Sequence, residues 1–307
     1  MESNKLRIGI VGHGFVGKAV DWGFNRNVEK FIVDPILSTK VEDLKIFKPD
    51  VVFICVPTPM SKQGSQDNSI LKKVCFELNE AVPKAIKVIK STVLPGILKD
   101  LSTSESKTIY NPEFLREKHA YEDFENSEMI IFGGEKLTCK AVSKIYLKHS
   151  KCKTRKHYFT DIESAALIKY SINTFLASKV VFFNELYDIF SQLDTKDSWE
   201  DIINIISVDK RMGESHMSVP GHDGKRGFGG ACFPKDCLAL VKYAESIDAP
   251  TDILEAVIKK NNKIRSQYDK LDSREIEQNV SFDDNIWHNA QVVKLVDTRD
   301  LKSLEGN

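Results

Sequence analysis

The sequence has no net charge and no ordered cysteine pattern. Its 307 residues include 44 basic and 44 acidic side chains, so there is no overall field to attract nucleic acid or an anionic membrane. The six cysteines are scattered, without the spacing of a disulfide framework or of a zinc site. We therefore expect a cytoplasmic protein that holds no metal ion and does not bind nucleic acid.

Long hydrophobic runs are missing as well. No apolar run reaches membrane-spanning length, and the chain does not begin with the charged, apolar and small-residue segments of a secretory signal. The sequence therefore predicts no membrane partner. Because a chain of this length exceeds what one small core usually holds, two domains are expected.

A glycine-rich turn follows the first apolar run. Residues 6–11 are short, apolar and β-branched, and a helical pattern then opens with Gly12, Gly14 and Gly17. In this strand–turn–helix context, three such glycines are the fingerprint of a dinucleotide site, with a chance glycine turn as the alternative. The second strand ends in Asp34. Its carboxylate can accept a hydrogen bond from a ribose 2′-hydroxyl and would repel a 2′-phosphate, so NAD is favoured over NADP.

Strand and helix patterns alternate through the first half of the chain, which predicts an α/β fold with a Rossmann-like, doubly wound parallel sheet. Residues 51–56 form a continuous apolar run, as expected for a strand buried on both faces, and they stop at Pro57-Thr58-Pro59. The strand at 86–89 leads to Thr92. Both stops fall at the carboxyl edge of the sheet, where ligands of this fold class bind. Thr92 alone is equally well explained as a helix N-cap.

Two charged segments have plain structural explanations. The strand at 108–110 feeds residues 111–117, in which two acids stand four apart. From spacing alone, the favoured interpretation is a solvated first helical turn. Farther on, lysines recur every four residues, which indicates the solvated face of an amphipathic helix, with a phosphate-binding patch as the remote alternative. These lysines are Lys136, Lys140, Lys144 and Lys148.

The longest helical pattern runs from about 162 to 193 without proline or glycine. It is apolar on several sides and must be buried in a core or in a subunit interface. Lys169 and Asn173 stand one turn apart within it. They are either a core pair satisfied by partners or donors that face a site and a developing oxyanion. Further helices are predicted at 199–208, 234–247 and 252–267.

A glycine-rich loop containing Gly227, Gly229 and Gly230 leads into Cys232. Because Pro234 marks the first turn of a helix, this cysteine stands at the helix start. There the backbone N–H groups and the helix dipole favour a thiolate, which is a nucleophile at neutral pH. A buried, inert cysteine is the alternative. Asp236 follows one turn later on the same face.

In their order and separation, these motifs resemble those of the nucleotide-sugar 6-dehydrogenases over about residues 5–268. The matching segments are the glycine turn with Asp34, Pro57-Thr58-Pro59, Ser91-Thr92-Val93, Asn111-Pro112-Glu113-Phe114-Leu115-Arg116-Glu117, Lys169 with Asn173, Phe183-Asn184-Glu185-Leu186, Arg211 and residues 227–236.

The resemblance implies a domain organisation. A Rossmann-like NAD-binding domain is expected at 1–160 and an all-helical central dimerisation domain that carries the catalytic cysteine at 161–270. Separately from the resemblance, residues 273–307 are polar and unpatterned, so a poorly ordered tail is expected at 271–307. Family members usually continue with a second Rossmann-like domain, so a short form lacking the C-terminal UDP-binding domain is expected.

The resemblance also implies an NAD-dependent four-electron oxidation of a primary alcohol to a carboxylate, through a thiohemiacetal and a thioester on Cys232. UDP-glucose is the first substrate candidate, and GDP-mannose or an N-acetylated UDP-sugar are alternatives. A further alternative is an NAD-binding protein without turnover, or a subunit completed by a partner. A homodimer through the helix at 162–193 is implied.

Residue roles follow from the resemblance. The implied catalytic residues are the nucleophile Cys232, the oxyanion donors Lys169 and Asn173, the proton acceptor Asp236, for which Lys169 is the alternative, and the water-positioning pair Thr92 and Glu113. The implied cofactor contacts are Gly12, Gly14, Phe15, Val16, Gly17, Asp34, Pro57, Thr58, Thr92, Glu117 and Lys235. The implied substrate contacts are Phe114, Leu115, Arg116, Glu117, Lys169, Asn173, Phe228, Gly229, Gly230 and, across the dimer, Arg211.

Overall fold

The computed structural model of the chain describes residues 5–61, 64–102 and 106–283. The chain divides into two compact units. Unit 1 comprises Met1–Pro59 and Gln66–Ser171, and unit 2 comprises Met60–Ser65 and Ile172–Asn307. The sequence predicts a boundary at 160/161, whereas the main division falls eleven residues later, inside the long helix.

Unit 1 contains a seven-stranded sheet with the order β2-β1-β3-β4-β5-β6-β7. Its strands are β1 Leu6–Val11, β2 Val28–Val33, β3 Val51–Ile54, β4 Ile86–Ile89, β5 Thr108–Tyr110, β6 Ile130–Gly133 and β7 His157–Thr160. Among these strands, every pairing is parallel except that of β5 with β6. That antiparallel contact is confined to one residue pair, Tyr110 with Gly133. The predicted Rossmann-like sheet is thus confirmed with one local exception, and β7 was missed.

Both faces of the sheet are covered, which explains the continuous apolar run of β3. Val51 and Phe53 belong to a core cluster that includes residues of the helices after β1 and β6. Val52 and Ile54 belong to a second cluster on the other face. Successive side chains of a strand point to opposite faces, so burial of both faces requires apolar residues at every position.

The helices of unit 1 match the predicted alternation. They are α1 Phe15–Gly23, α2 Leu44–Phe47, α3 Ser69–Ala81, α4 Pro95–Leu101, α5 Ala120–Glu125 and α6 Lys136–His149. The four lysines that recur along α6 are all exposed. The interpretation of these lysines as a solvated helix face is therefore confirmed.

Unit 2 is helical. The helix α7, Ile162–Phe190, begins in unit 1 and continues into unit 2. It is followed by α8 Trp199–Ser207, α9 Phe233–Ser246, α10 Asp252–Arg265 and α11 Ser273–Glu277. A core cluster joins α7, α9, α10 and the loop before α9 through Ala177, Val181, Phe228, Cys237, Val241 and Ile258.

The sequence predicts a poorly ordered tail from residue 271, but α11 lies within that range. The Asp272 side chain caps this helix, and the Glu275 side chain accepts a hydrogen bond from the backbone N–H of Asp272 in return. A capping box can be recognised from the sequence alone, but the sequence analysis did not identify this one. Glu275 is fully buried. Residues 284–307 lie outside the described residues, and the prediction for them stays a prediction.

The length and composition of α7 qualify the prediction about membranes. It has 29 residues, with a mean hydropathy of 1.2 over its most apolar 18-residue window, which is enough to cross a membrane by these measures alone. Half of that window is buried within the chain. Lys169, Asn173 and Lys179 of α7 are also buried. Length and composition alone do not distinguish a membrane-spanning helix from a core helix, so the prediction of no membrane partner stays a prediction.

Candidate functional site

In unit 1, the glycine turn has the backbone geometry of a dinucleotide site. Gly12 has φ +87°, and a Cβ there would strike the backbone of Cys55. A Cβ on Gly17 would overlap the carbonyl oxygen of Gly12, whereas a Cβ on Gly14 would meet only open space. Gly14 is also the N-cap of α1 and provides no side-chain cap. The turn therefore presents an open helix N-terminus, a favourable place for a pyrophosphate.

Asp34 lies beside this turn at the carboxyl end of β2. Its Oδ2 accepts a hydrogen bond of 2.7 Å from the backbone N–H of His13, and its Oδ1 accepts one of 2.9 Å from Ile36. A carboxylate has about four acceptor positions, so oxygen lone pairs remain for ribose hydroxyls. The His13 side chain, which sequence reasoning left aside, contacts Asp21 at 3.2 Å.

Thr92 is held through its backbone. Its carbonyl oxygen accepts hydrogen bonds from the hydroxyl of Thr58 at 2.9 Å and from the amide of Gln66 at 2.8 Å. The alternative that made Thr92 an N-cap is wrong, because α4 begins at Pro95 with Leu94 as its N-cap. Gln66 is a residue that the sequence analysis missed. It follows a polar loop with no pattern to single it out.

Glu113 and Lys169 form a buried ion pair in unit 1. The Lys169 ammonium lies 3.5 Å from the Glu113 carboxylate and donates a hydrogen bond of 2.6 Å to the Glu113 carbonyl oxygen. It also lies 5.0 Å from the centre of the Phe114 ring. The prediction of a solvated helical turn here is wrong: residues 111–116 are not helical, and Glu113 is only 8% exposed. The second carboxylate oxygen accepts from the N–H of Leu115.

The C-terminal end of the segment 111–117 faces solvent. Arg116 is exposed and binds Asp123 through two side-chain hydrogen bonds of 2.7 and 3.1 Å. Burial works against ionisation of Asp123, but its hydrogen bonds with Arg116 and the guanidinium charge lower the pKa of this carboxyl. Glu117 is exposed and begins a single 3-10 turn, Glu117–His119.

A buried lysine binds Asn111, at the N-terminal end of the segment 111–117. Lys90, only 4% exposed, donates hydrogen bonds of 3.0 Å to both the carbonyl and the side-chain oxygen of Asn111. The hydroxyl of Tyr146 donates to that side-chain oxygen at 2.6 Å. Burial lowers the pKa of Lys90 to about 8. The sequence analysis did not single out this residue, because its partners are distant in sequence.

In unit 2, Cys232 is the N-cap of α9 and is half-buried. The helix begins at Phe233, so Pro234 occupies its second position rather than the predicted first. None of the six cysteines, all of which lie within the described residues, is in a disulfide. The neighbouring Cys237 is fully buried, and burial raises the pKa of its thiol well above the ordinary value. Cys237 is therefore the inert thiol of this helix.

Asp236 lies one turn after Cys232, and its N–H donates to the Cys232 carbonyl oxygen at 2.8 Å. The two oxygens of its carboxylate accept from Asn173 at 2.6 Å and from Lys235 at 2.5 Å. Asp236 is only 1% exposed. Lys235, for which the resemblance implies a cofactor contact, is thus ion-paired with Asp236 in this structure.

The remaining predicted substrate contacts of unit 2 differ in exposure. Phe228 is buried in the helical core, and Gly229 and Gly230 follow it half-buried. Arg211 lies on an exposed turn, where its guanidinium donates hydrogen bonds to both carboxylate oxygens of Asp209. Within residues 5–61, 64–102 and 106–283, no group of three or more histidines, cysteines and acids could hold a metal ion.

Two models of one family match the chain. Residues 36–150 match the NAD binding domain of the UDP-glucose/GDP-mannose dehydrogenase family, and residues 163–263 match its central domain. The chain belongs to this family. The predicted family and its NAD-binding Rossmann domain are thereby confirmed. The glycine turn and Asp34 precede the matched range, so their assignment rests on the geometry above.

Individual members of this family are similar to the chain. UDP-glucose 6-dehydrogenase of Rickettsia conorii is 33% identical over 238 residues, which are 75% of this chain and 53% of the relative. UDP-glucose 6-dehydrogenase TuaD of Bacillus subtilis is 34% identical over 251 residues, 78% of this chain and 52% of the relative. GDP-mannose 6-dehydrogenase of Pseudomonas aeruginosa is 30% identical over 249 residues, which are 75% of this chain and 55% of the relative.

Among solved structures, a UDP-glucose dehydrogenase of Pyrobaculum islandicum has a TM-score of 0.71 and 26% identity, covering 85% of this chain and 69% of that one. The chain spans about half the length of the curated relatives it matches.

Proposed function

We propose that the chain oxidises the C6 alcohol of UDP-glucose to a carboxylate, using NAD in two successive steps. The observation that carries this proposal is the half-buried Cys232 at the start of α9, next to an Asp236 that is bound by Asn173 and Lys235. A cysteine can bind an aldehyde covalently and later leave as a thiolate, which a two-step oxidation without release of the aldehyde requires.

The turn at Gly12–Gly17 would hold the NAD pyrophosphate, and Asp34 would hold a ribose. The openness at Gly14 and the orientation of Asp34 toward the turn support this assignment. Phe15, Val16, Pro57, Thr58 and Glu117 are further proposed contacts. When bound, NAD accepts one hydride in each oxidation.

The proposed chemistry on the enzyme begins with an aldehyde. The Cys232 sulfur attacks its carbonyl carbon, a C–S bond forms, and the thiol proton passes through water to Asp236. The side chains of Lys169 and Asn173 stabilise the negative oxygen. Asn173 has a second amide hydrogen beyond the one given to Asp236, and an ammonium group has three hydrogens, so each residue has donors for this purpose.

Loss of a second hydride from the thiohemiacetal carbon gives a thioester. Water, oriented by Thr92 and Glu113, then attacks the thioester carbon, the C–S bond breaks, and the thiol and the carboxylate are released. One alcohol and one water are thus converted with two NAD into one carboxylate, two NADH and three protons. Phe114–Glu117 and Phe228–Gly230 are proposed to hold the sugar nucleotide.

We also propose a homodimer through α7. Phe175, Phe182 and Ile189 are exposed and recur every seven residues, so they share one stripe of the helix. A second copy would cover this stripe, and Arg211, exposed on its turn, would bind a phosphate of the partner's substrate. The six cysteines, without a disulfide, support a reducing compartment, and we propose the cytoplasm.

The experiment is turnover of the purified chain with UDP-glucose and NAD. About two molecules of NADH should form per sugar nucleotide consumed. Cys232→Ser should stop the reaction at or before the thioester, whereas Cys152→Ser, a substitution of a buried thiol in unit 1, should keep the ratio of two. No NADH from any sugar nucleotide would refute the proposal and favour a non-catalytic NAD-binding protein or a partner-completed subunit.

The second candidate is a different nucleotide sugar. It is favoured by the 30% identity with a GDP-mannose 6-dehydrogenase, close to that of the UDP-glucose relatives. A panel of UDP-glucose, GDP-mannose and N-acetylated UDP-sugars, compared by kcat/KM, decides between the two.

A further inference from the structure

The backbone leading to Cys232 is bound by side chains from three different helices. The N–H of Gly227 donates to Asn184 of α7 at 3.1 Å, that of Phe228 to Asn261 of α10 at 2.7 Å, and that of Gly230 to Glu275 of α11 at 2.9 Å. Asn261 also donates to the carbonyl oxygen of Phe228 at 3.0 Å. The glycine loop is therefore fixed by side chains rather than by regular secondary structure.

Glu275 is the charged member of this set. Its Oε1 accepts hydrogen bonds from both Gly230 and the guanidinium of Arg265, each at 2.9 Å. Its Oε2 accepts from the N–H of Asp272 at 2.8 Å. Glu275 is 0% and Arg265 2% exposed. Hydrogen bonds to an ionised acceptor are stronger than those to a neutral amide, so the Glu275 carboxylate is a strong acceptor for the N–H of Gly230.

The glycines of the loop fit closely against this ion pair. A Cβ on Gly229 would overlap both the guanidinium of Arg265 and the carboxylate of Glu275. Gly230 has φ +76°, a conformation that other residues rarely adopt. The chain therefore passes directly over the pair just before it reaches Cys232.

The helix that carries Glu275 is itself tied down within unit 2. The carbonyl oxygen of Gln278 accepts from the N–H of Met60, and the amide of Asn279 donates to the Met60 carbonyl oxygen at 2.9 Å. Val280 is buried. Glu275 thus approaches the loop from a fixed support.

We propose that Glu275 is a positioning residue for Cys232. By holding the N–H of Gly230 it fixes the backbone two residues before the cysteine, and so fixes the thiol at the start of α9. This inference rests on the proposed function insofar as Cys232 is the nucleophile. A nucleophile displaced by a fraction of an ångström loses much of its rate, so the hydrogen bond at Gly230 contributes to turnover without contacting substrate.

The test compares Glu275→Ala and Glu275→Gln with Glu277→Gln in the full chain. Glu277 lies on the same helix, is exposed, and pairs with Arg274 at the surface, so its variant is the matched control. Glu275→Ala removes the acceptor for Gly230. Glu275→Gln keeps a neutral acceptor but loses the charge that faces Arg265, and serves as the conservative rescue.

Three readouts are measured: hydrogen exchange of the Gly230 amide, the rate of Cys232 alkylation by iodoacetamide located by peptide mass spectrometry, and kcat with KM for NAD. For Glu275→Ala we expect Gly230 exchange at least about tenfold faster, as for loss of one hydrogen bond to a charged group. Alkylation and kcat should fall, since the thiol loses its fixed place at the helix start, while KM for NAD stays unchanged. Glu275→Gln should be intermediate and Glu277→Gln should match the wild type.

Wild-type values for exchange and alkylation in Glu275→Ala would overturn the inference. Faster exchange with unchanged alkylation and kcat would also overturn it, because Glu275 would then only stabilise the loop. If Glu275→Ala does not fold, the comparison of Glu275→Gln with Glu277→Gln decides. A wild-type chain that forms no NADH refutes the proposed function, whereas exchange and alkylation still decide the role of Glu275.

Discussion

Asn173 donates a hydrogen bond of 2.6 Å to Asp236 and thereby joins α7 to α9 within unit 2. The other carboxylate oxygen of Asp236 contacts the ammonium of Lys235 at 2.5 Å. Asp236 and Lys235 are both buried. By bonding to both Asn173 and Lys235, the Asp236 carboxylate fixes the positions of these two side chains as well as its own position.

Asp236→Asn should destabilise the fold, because it leaves the Lys235 ammonium buried without its counter-charge. We expect a loss of about 3 kcal/mol in the free energy of unfolding, as for other buried ion pairs that lose one partner. Urea denaturation followed by circular dichroism measures it. Asp209→Asn, which removes an exposed partner of Arg211, should leave the denaturation midpoint unchanged. Equal midpoints for the two variants would contradict the buried pair.

Asp34→Asn should weaken NAD binding and reduce discrimination against NADP. The carboxylate is oriented by the N–H groups of His13 and Ile36, and its charge opposes a 2′-phosphate. We expect the Kd for NAD to rise about tenfold, the effect of a lost hydrogen bond to a charged group. Fluorescence titration with both nucleotides measures the ratio. Asp43→Asn, an exposed acid in the same region, is the control, and an unchanged ratio of Kd values in Asp34→Asn would exclude this role.

Lys90 should make stability rise between about pH 8 and pH 10.5. Burial lowers its pKa from 10.5 to about 8, so in this window the unfolded chain binds a proton that the folded chain does not. Stability therefore increases with pH, by about 1.4 kcal/mol per pH unit at most. Below pH 8 the lysine is charged in both states and the effect levels off.

The measurement for Lys90 is the difference in free energy of unfolding between wild type and Lys90→Met at several pH values. Methionine cannot titrate, so subtraction removes the contribution of other groups. The difference should change in favour of the wild type between pH 8 and pH 10. A constant difference across this window would show that Lys90 has an ordinary pKa.

Phe182→Glu should dissociate the proposed homodimer. The phenylalanine is 51% exposed in the middle of the apolar stripe of α7, and a carboxylate there would be buried without a partner in the interface. Sedimentation velocity should show a monomer for this variant and a dimer for the wild type. Phe76→Glu, at an exposed position of α3, should leave the dimer intact. A monomeric wild type would refute the dimer directly.

Local patterns made part of the site predictable. The glycine turn, Asp34 and the start of α9 depend on residues adjacent in sequence, and glycine, a strand end or a proline marks each of them. The continuous apolar run of β3 likewise indicated burial on both faces.

The partners of these residues were not predictable. Lys169 binds Glu113, 56 residues away, and the spacing of acids around Glu113 favoured a solvated helical turn instead. Glu275 falls in a segment whose overall polarity predicts a disordered tail. Glu275 is buried because it pairs with Arg265. Sequence periodicity does not predict an ion pair between residues of different helices. In this segment, the capping box of α11 is the feature that the sequence alone could have predicted.

The assignment of Met60–Ser65 to unit 2 has a practical consequence for dissecting the protein. A fragment cut after Ser171 would keep this loop but lose Gln278 and Asn279, which hold Met60 through its main chain. Conversely, a fragment that starts at Ile172 would lack the loop on which the segment after α11 rests. Limited proteolysis at the unit boundary therefore damages both products. Because unit 2 consists of two separate stretches of the chain, a single cleavage cannot separate the two units.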